Sequence, residues 1–192
     1  SKNIPLVSVV ITSFNRYKYL INAVESVKNQ SYKNIELIII NDASTDKEYE
    51  NLDFGKNCKI INLSRNQKEL LGFGPGSIRN FGSDIASGDI LAFLDDDDVW
   101  AEHKLEIQLE EMAVNSIGMS SSEAYFCEKP IKIGSTYPLY NSEYYLKDLK
   151  YLYKKTNYIK KNKLPKIWDY DFSYIHNCFI TSSVVIEKKI YD

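Results

Sequence analysis

Leu6-Val7-Ser8-Val9-Val10-Ile11 and Glu36-Leu37-Ile38-Ile39-Ile40 are two apolar runs rich in β-branched residues, and between them Tyr17, Leu20, Ile21, Val24 and Val27 recur at helical spacing. Continuous runs of this kind are the pattern of strands buried on both faces. The intervening spacing predicts a helix over about Tyr17 to Asn29. Strand, helix, strand with connections of this length is a βαβ unit, so the two strands are expected to be parallel. The fold class that follows is α/β.

Further along, Lys59-Ile60-Ile61-Asn62-Leu63 reads as a third, shorter strand. The glycine-rich stretch Gly72-Phe73-Gly74-Pro75-Gly76 follows, then a short helix with Ile78, Phe81 and Ile85 on one face, which Gly88 is expected to cap. Ile90-Leu91-Ala92-Phe93-Leu94 is a fourth strand, and it ends in Asp95-Asp96-Asp97-Asp98. Trp100, Leu105, Leu109 and Met112 then mark a helix over roughly Glu102 to Val114.

Four adjacent carboxylates repel each other by roughly a kcal/mol per close pair even in a water-like dielectric. A hard divalent cation with oxygen ligands would relieve that repulsion, although Asp is also favoured in the first turn of a helix. Position separates the two readings. The four strands end in polar loops, Ser13–Asn15, Asn41–Asp46, Ser64–Asn66 and Asp95–Asp98. In an open parallel sheet these lie along one edge, where ligands bind.

The bulk composition agrees with one ordinary globular domain. The chain has 192 residues, 44% hydrophobic and 26% charged, with a formal net charge of −2. That charge gives no case for nucleic acid as a partner. Cys58, Cys127 and Cys178 show no metal-like spacing and read as buried thiols in a reducing compartment. No apolar run is long enough to span a bilayer, so a cytoplasmic location is expected. From Ser120 on, Ala124-Tyr125-Phe126-Cys127 reads as a strand paired near Ile131–Ile133. Residues 129–166 carry ten lysines and seven tyrosines, with Tyr144, Tyr145, Leu149, Leu152 and Tyr153 expected on one packed face. That basic, aromatic segment is either a solvated insertion or a surface for an anionic acceptor or a membrane face. Cys178 to Ile186 reads as a last buried strand.

Taken in order, these segments resemble the family 2 glycosyltransferases of the GT-A fold. The matching residues are Val7 to Arg16, Ser26 to Tyr32, Glu36 to Asp46, Arg79-Asn80, Ser87 to Ile90, Phe93 to Trp100 and Lys104-Leu105. Each is weak alone, and their order and spacing together are specific. The resemblance implies a mostly parallel sheet flanked by helices. It places the nucleotide-sugar donor half in residues 1–118 and an incomplete acceptor half in 119–192 of a single domain. The implied reaction is transfer of a hexosyl or N-acetylhexosaminyl group from a nucleotide-activated donor, most often a UDP-sugar, to an acceptor hydroxyl with inversion.

The resemblance also assigns residues. The DxD element falls on Asp95-Asp96-Asp97, with Asp97 as ligand of Mn2+ or Mg2+ and Asp95 or Asp96 on the metal or the donor ribose. Asp98 is expected to cap the following helix. Asp42 matches the aspartate that reads the base. A carboxylate accepts the N3–H of uracil, and equally a ring N–H of thymine or guanine. Thr12, Phe14 and Asn15 match the loop against the nucleoside, and Arg79 is expected over the base or diphosphate. The implied acceptor is a glycan or a lipid-linked glycan of a bacterial surface, with peripheral association at the inner face of the membrane.

Inverting transfer needs a general base within hydrogen-bond reach of the acceptor hydroxyl. The family motif that supplies it follows the last segment matched here, so the base is expected beyond Asp192, in a longer chain. Asp169, Asp171 and Glu187 are the late carboxylates before Asp192, but the family pattern does not put the base on them; Trp168 to Asp171 reads as an acceptor-side element, and His176 as either an acceptor-side or a structural histidine. A non-catalytic module that keeps only nucleotide-sugar binding is the rival reading. A sugar-nucleotide-forming nucleotidyltransferase is disfavoured, because Thr12–Arg16 is not a glycine-rich basic phosphate loop.

Overall fold

The structure is a computed structural model that describes residues 4–71, 76–127, 136–140, 149–159, 170–175 and 179–191. Among the described residues the strands are β1 (Val7–Ser13), β2 (Ile35–Asn41), β3 (Cys58–Asn62), β4 (Ile90–Asp95), β5 (Met119–Ser120), β6 (Ala124–Tyr125), β7 (Leu139–Tyr140) and β8 (Val185–Glu187). The main helices are α1 (Tyr17–Lys28), α2 (Gln67–Leu71), α3 (Gly76–Asp84) and α4 (Lys104–Asn115). Residues 1–121 with 181–192 form one compact unit, and 122–180 form another.

The first unit holds a six-stranded sheet in the order β3-β2-β1-β4-β8-β5. β3, β2, β1 and β4 are mutually parallel, and β8 runs antiparallel to both of its neighbours. The two-residue alternation of β1 explains why both faces are apolar. Val7, Val9 and Ile11 pack with Leu20, Val24 and Val27 of α1 and Leu105 and Met112 of α4. Val10 faces the other way, with Ile78 of α3, Leu91, Phe93 and Ile186. The second unit contains the β6–β7 pair and a cluster of Leu149, Tyr153 and Phe172. No helix among the described residues is long and apolar enough to cross a membrane.

Several expectations need correction. The last strand is only Val185–Glu187, because Thr181–Ser183 forms a 3-10 turn. Ile78 is buried and Ile85 half-buried against the core as expected, but Phe81 is exposed, and α3 buries Gly82 and Ser83. Here the narrow gap against Val10 selects Gly82 for the buried face. α4 starts at Lys104, and no side chain caps it. Asp98 is therefore not its cap. Among the described residues β6 pairs with β7, while Ile131–Ile133 lie outside them. Leu149 and Tyr153 are buried as expected, but Leu152 is exposed; Tyr144 and Tyr145 lie outside the described residues. Cys58 and Cys127 are half-buried rather than fully buried, and Cys178 is outside the described residues.

Gly88 does not cap α3, which ends at Asp84. It allows two backbones to approach. A Cβ there would stand 2.5 Å from the Leu6 carbonyl oxygen and 2.9 Å from the Ser8 nitrogen. Its N–H donates to Ser8 Oγ at 2.8 Å and to Glu36 Oε1 at 3.1 Å, tying the entrance of β4 to those of β1 and β2. Because the obstacle is backbone rather than a movable side chain, Gly88→Ala is expected to destabilise the fold by about 2 kcal/mol, read as a lowered urea midpoint with an unchanged slope.

Candidate functional site

The registers Thr12↔Asp95, Ser13↔Asn41 and Asn41↔Asn62 align the carboxyl ends of β4, β1, β2 and β3. Their four loops therefore stand side by side. The β1–α1 loop lies in the middle, because β1 pairs with both β2 and β4.

Local hydrogen bonds fix each loop. Asn15 takes a left-handed backbone (φ 50°), which Asn tolerates better than most residues. Its Oδ1 accepts the N–H of Thr45 at 2.7 Å, its Nδ2 donates to Thr45 Oγ1 at 3.2 Å, and its own N–H donates to Ser44 Oγ at 3.0 Å. Asn15 thus joins the first loop to the second. Asn41 Oδ1 accepts the Ser44 N–H at 2.9 Å around Ala43, another left-handed residue (φ 59°). Asn41 thus closes an Asx-type turn in which the Asp42 carboxylate takes no part.

Asp42 is buried, and burial raises its pKa against the opposing pull of the Gln67 N–H. Its Oδ2 accepts from Asn66 Nδ2 and its Oδ1 from the Gln67 N–H, both at 2.9 Å. Asn66 Oδ1 in turn accepts the N–H groups of Lys68 and Glu69, opening α2. Each carboxylate oxygen carries two lone pairs, so one partner apiece leaves Asp42 able to accept a further donor. Phe14 is 42% exposed on the middle loop, so its ring is not part of the core. Thr12 is half-buried near the end of β1.

The four carboxylates have four different environments. Asp95 Oδ1 is in a close ion pair with Arg79 Nη2. Asp96 is 5% exposed; its Oδ2 accepts from Ser13 Oγ at 2.7 Å, and its Oδ1 lies 3.4 Å from Arg16 Nη1. Asp97 stands half exposed, with Oδ2 2.6 Å from the same Arg16 nitrogen. Asp98 Oδ2 accepts from Ser182 Oγ at 2.5 Å, and that oxygen also accepts the Asp95 N–H at 2.9 Å. Burial raises the pKa of Asp96 and Asp98; Ser13 and Arg16 oppose the rise at Asp96, and Ser182 opposes it at Asp98.

Ser13 Oγ also lies 2.5 Å from Tyr49 Oη, which accepts the Arg16 N–H at 3.1 Å. A serine has one proton to give. With that proton on the Asp96 carboxylate, Ser13 accepts from Tyr49, and the chain runs in one direction from Arg16 N–H to Asp96. Tyr49 and Ser182 carry no sequence signal of a site, while Ser13 and Asn66 fall in the polar strand-end loops without an assigned role. Arg16 stands inside a quoted motif without an assigned role. At the other end, Glu187 is in register with Ile90, at the opposite edge of the sheet from Asp95. Asp171 lies on the helix Tyr170–Ile175 of the other unit; Asp169 and His176 are outside the described residues.

Among the described residues no group of three or more His, Cys, Asp and Glu side chains is arranged to hold a metal ion alone. Mg2+ is usually held by one or two carboxylates plus phosphate and water. The carboxylate oxygens of Asp95 and Asp97 fit that demand, and Asp97 is the more exposed of the two.

Residues 8–175 match the family model described as "Glycosyl transferase family 2". An uncharacterized glycosyltransferase of Haemophilus influenzae is 41% identical over 130 residues, covering 66% of this chain and 50% of the relative. The Escherichia coli UDP-Glc:alpha-D-GlcNAc-diphosphoundecaprenol beta-1,3-glucosyltransferase WfaP is 36% identical over 128 residues, covering 67% of this chain and 49% of the relative. The chain thus spans about half the length of these relatives. The crystal structure of S. aureus TarS 1-349 aligns with a TM-score of 0.57 at 19% identity, over 96% of this chain and 48% of that one. That likeness supports the expected GT-A fold.

Behind the acidic loop, Trp100 Nε1 donates to the Ser182 carbonyl at 2.7 Å, and Lys104 Nζ sits 4.4 Å from the Trp100 ring centroid. Nζ also donates to Gln108 Oε1 at 2.5 Å and to the Ser183 carbonyl at 3.3 Å. Burial pushes the Lys104 ammonium from 10.5 down to about 7. Between those values the unfolded chain binds one more proton than the folded one, so stability rises with pH across that window and is lost as pH falls toward 7. Lys104→Met is expected to remove this rise, so that its Tm advantage over the parent shrinks from pH 7 to pH 10 in parallel melts.

Proposed function

The chain belongs to glycosyl transferase family 2, and from that premise we propose that its sheet edge is the donor site of a divalent-metal-dependent sugar transferase. The donor is a nucleoside diphosphate sugar, most simply a UDP-linked hexose or N-acetylhexosamine, and transfer proceeds with inversion. The observation that carries the reading is the juxtaposition of Asp42 and the Asp95–Asp97 run on loops flanking the half-exposed Phe14.

Each residue has work suited to its chemistry. Asp42 keeps acceptor capacity for a ring N–H of the base. Phe14 offers a ring face for the base to stack on, with Thr12 beside it at the strand end. Asn15 serves through the loop it staples to Ser44 and Thr45. Arg79, fixed to Asp95, brings a guanidinium suited to diphosphate oxygens. Asp97, with Asp95, holds the cation, and buried Asp96 supports the loop and the ribose side. A bound Mn2+ or Mg2+ supplies Lewis-acid stabilisation of the departing diphosphate. The name of the E. coli relative, with UDP-Glc as donor and a diphosphoundecaprenol-linked acceptor, supports a UDP donor and a lipid-linked glycan acceptor here. Such an acceptor would bring the protein to a membrane surface.

Calorimetric titration of UDP with Mn2+, with Mg2+ and with a chelator tests the site. Metal is expected to tighten UDP binding by about tenfold or more, and Asp97→Ala is expected to abolish that gain. Tight UDP binding indifferent to both metal and Asp97→Ala would sink the assignment. Phe14→Ala is expected to weaken UDP binding about two- to tenfold, the worth of one aromatic stack, with no change in Tm.

A further inference from the structure

Arg16 has no role in the proposed donor site, yet among the described residues it is the cation paired with Asp97. Its Nη1 lies 2.6 Å from Asp97 Oδ2 and 3.4 Å from Asp96 Oδ1. The two ends of the residue are held differently. Its backbone N–H donates to Tyr49 Oη, within the chain that runs through Ser13 to Asp96. Its side chain is 52% exposed, against 18% for Arg79. The backbone is anchored while the guanidinium reaches the acidic loop through solvent.

A cation bound at about 2.1 Å from an Asp97 oxygen would stand within a few ångströms of that guanidinium. Two positive centres so close repel, so Arg16 and a divalent ion compete for Asp97. A nucleoside diphosphate changes the balance. It gives the metal further oxygen ligands and gives an arginine a bidentate anionic partner.

Resting on the donor-site reading above, we propose that Arg16 is a resident counter-ion that occupies Asp97 in the donor-free protein, yields it to the metal, and then pairs with the donor diphosphate. Metal and nucleotide binding are thereby coupled. Arg16 weakens metal binding alone and strengthens nucleotide binding once metal is present, and by linkage each ligand promotes the other.

The test is Mn2+ binding by the free-ion EPR signal, with and without saturating UDP, on the parent chain, Arg16→Met, Arg16→Lys and Asp97→Asn. Circular dichroism melts verify that each variant is folded. Arg16→Met is expected to bind Mn2+ alone about fivefold more tightly, the upper equilibrium factor for an exposed ion pair. It should also bind UDP more weakly at saturating Mn2+, so that the coupling factor between the two ligands falls. Arg16→Lys, which keeps the charge without the planar fork, is expected to leave Mn2+ binding alone near the parent value while weakening UDP. Unchanged Mn2+ affinity in a folded Arg16→Met, with Asp97→Asn abolishing binding, would overturn this inference and leave the donor site standing. If Asp97→Asn also leaves Mn2+ binding unchanged, the donor-site reading itself fails. Should Arg16→Met not fold, unchanged UDP binding in Arg16→Lys overturns the proposal.

Discussion

A carboxylate removed from water must find partners, and Asp96 finds them in three parts of the chain. Ser13 comes from the end of β1, Arg16 from the loop after it, and Tyr49, through Ser13, from a 3-10 turn after β2. Losing one partner leaves a desolvated charge, typically at a cost of about 1–3 kcal/mol or more. The chain from the Arg16 N–H to Asp96 consequently ties the order of the first two loops to that of the acidic loop. Asp95 and Asp97 flank Asp96, so their positions follow from its burial.

The sheet makes this convergence possible at little entropic cost. Parallel pairing of β1 with both β2 and β4 puts three strand ends within one register of each other, and the apolar alternation of β1 is satisfied by helices on either face. The antiparallel β8 adds what a purely parallel sheet would lack. It brings the Thr181–Ser183 turn back along β4, where Ser182 Oγ bridges the Asp95 N–H to the Asp98 carboxylate and the Ser182 carbonyl receives Trp100. The start and the end of the acidic run are thus braced by one residue from the far end of the sequence.

Much of the fold was legible because its signals are local. The β-branched runs of β1, β2 and β4 and the spacing of α1 are hydrophobic periodicities, and the strand ends follow from where they stop. What stayed hidden was set by tertiary contact. Gly88 looked like a helix cap because its reason, the Leu6 carbonyl, lies more than eighty positions away. Asp98 looked like a cap for α4 because Ser182 could not be foreseen beside it. Tyr49 sits in a short polar stretch with no periodicity, although its hydroxyl organises the site. The candidate site was readable as a set of carboxylates at an edge; the hydroxyls and the arginine that make those carboxylates different were not.

Those differences bear on how one acidic run can bind an anionic ligand at all. Four equivalent carboxylates would repel a diphosphate as they repel each other. Here Arg79 answers Asp95, Arg16 answers Asp96 and Asp97, and Asp98 accepts from the Ser182 hydroxyl. Asp97 and Asp98 are the exposed members of the run, and of the two only Asp97 is answered by a cation among the described residues. In the proposed donor site, Asp97 with an adjustable cationic neighbour would receive a metal–diphosphate better than a patch of four equivalent charges. Asp97, with Asp95, would then hold the metal without presenting a wall of negative charge to the phosphates. The run carries four negative charges in sequence and is half neutralised in space, by two arginines from outside it.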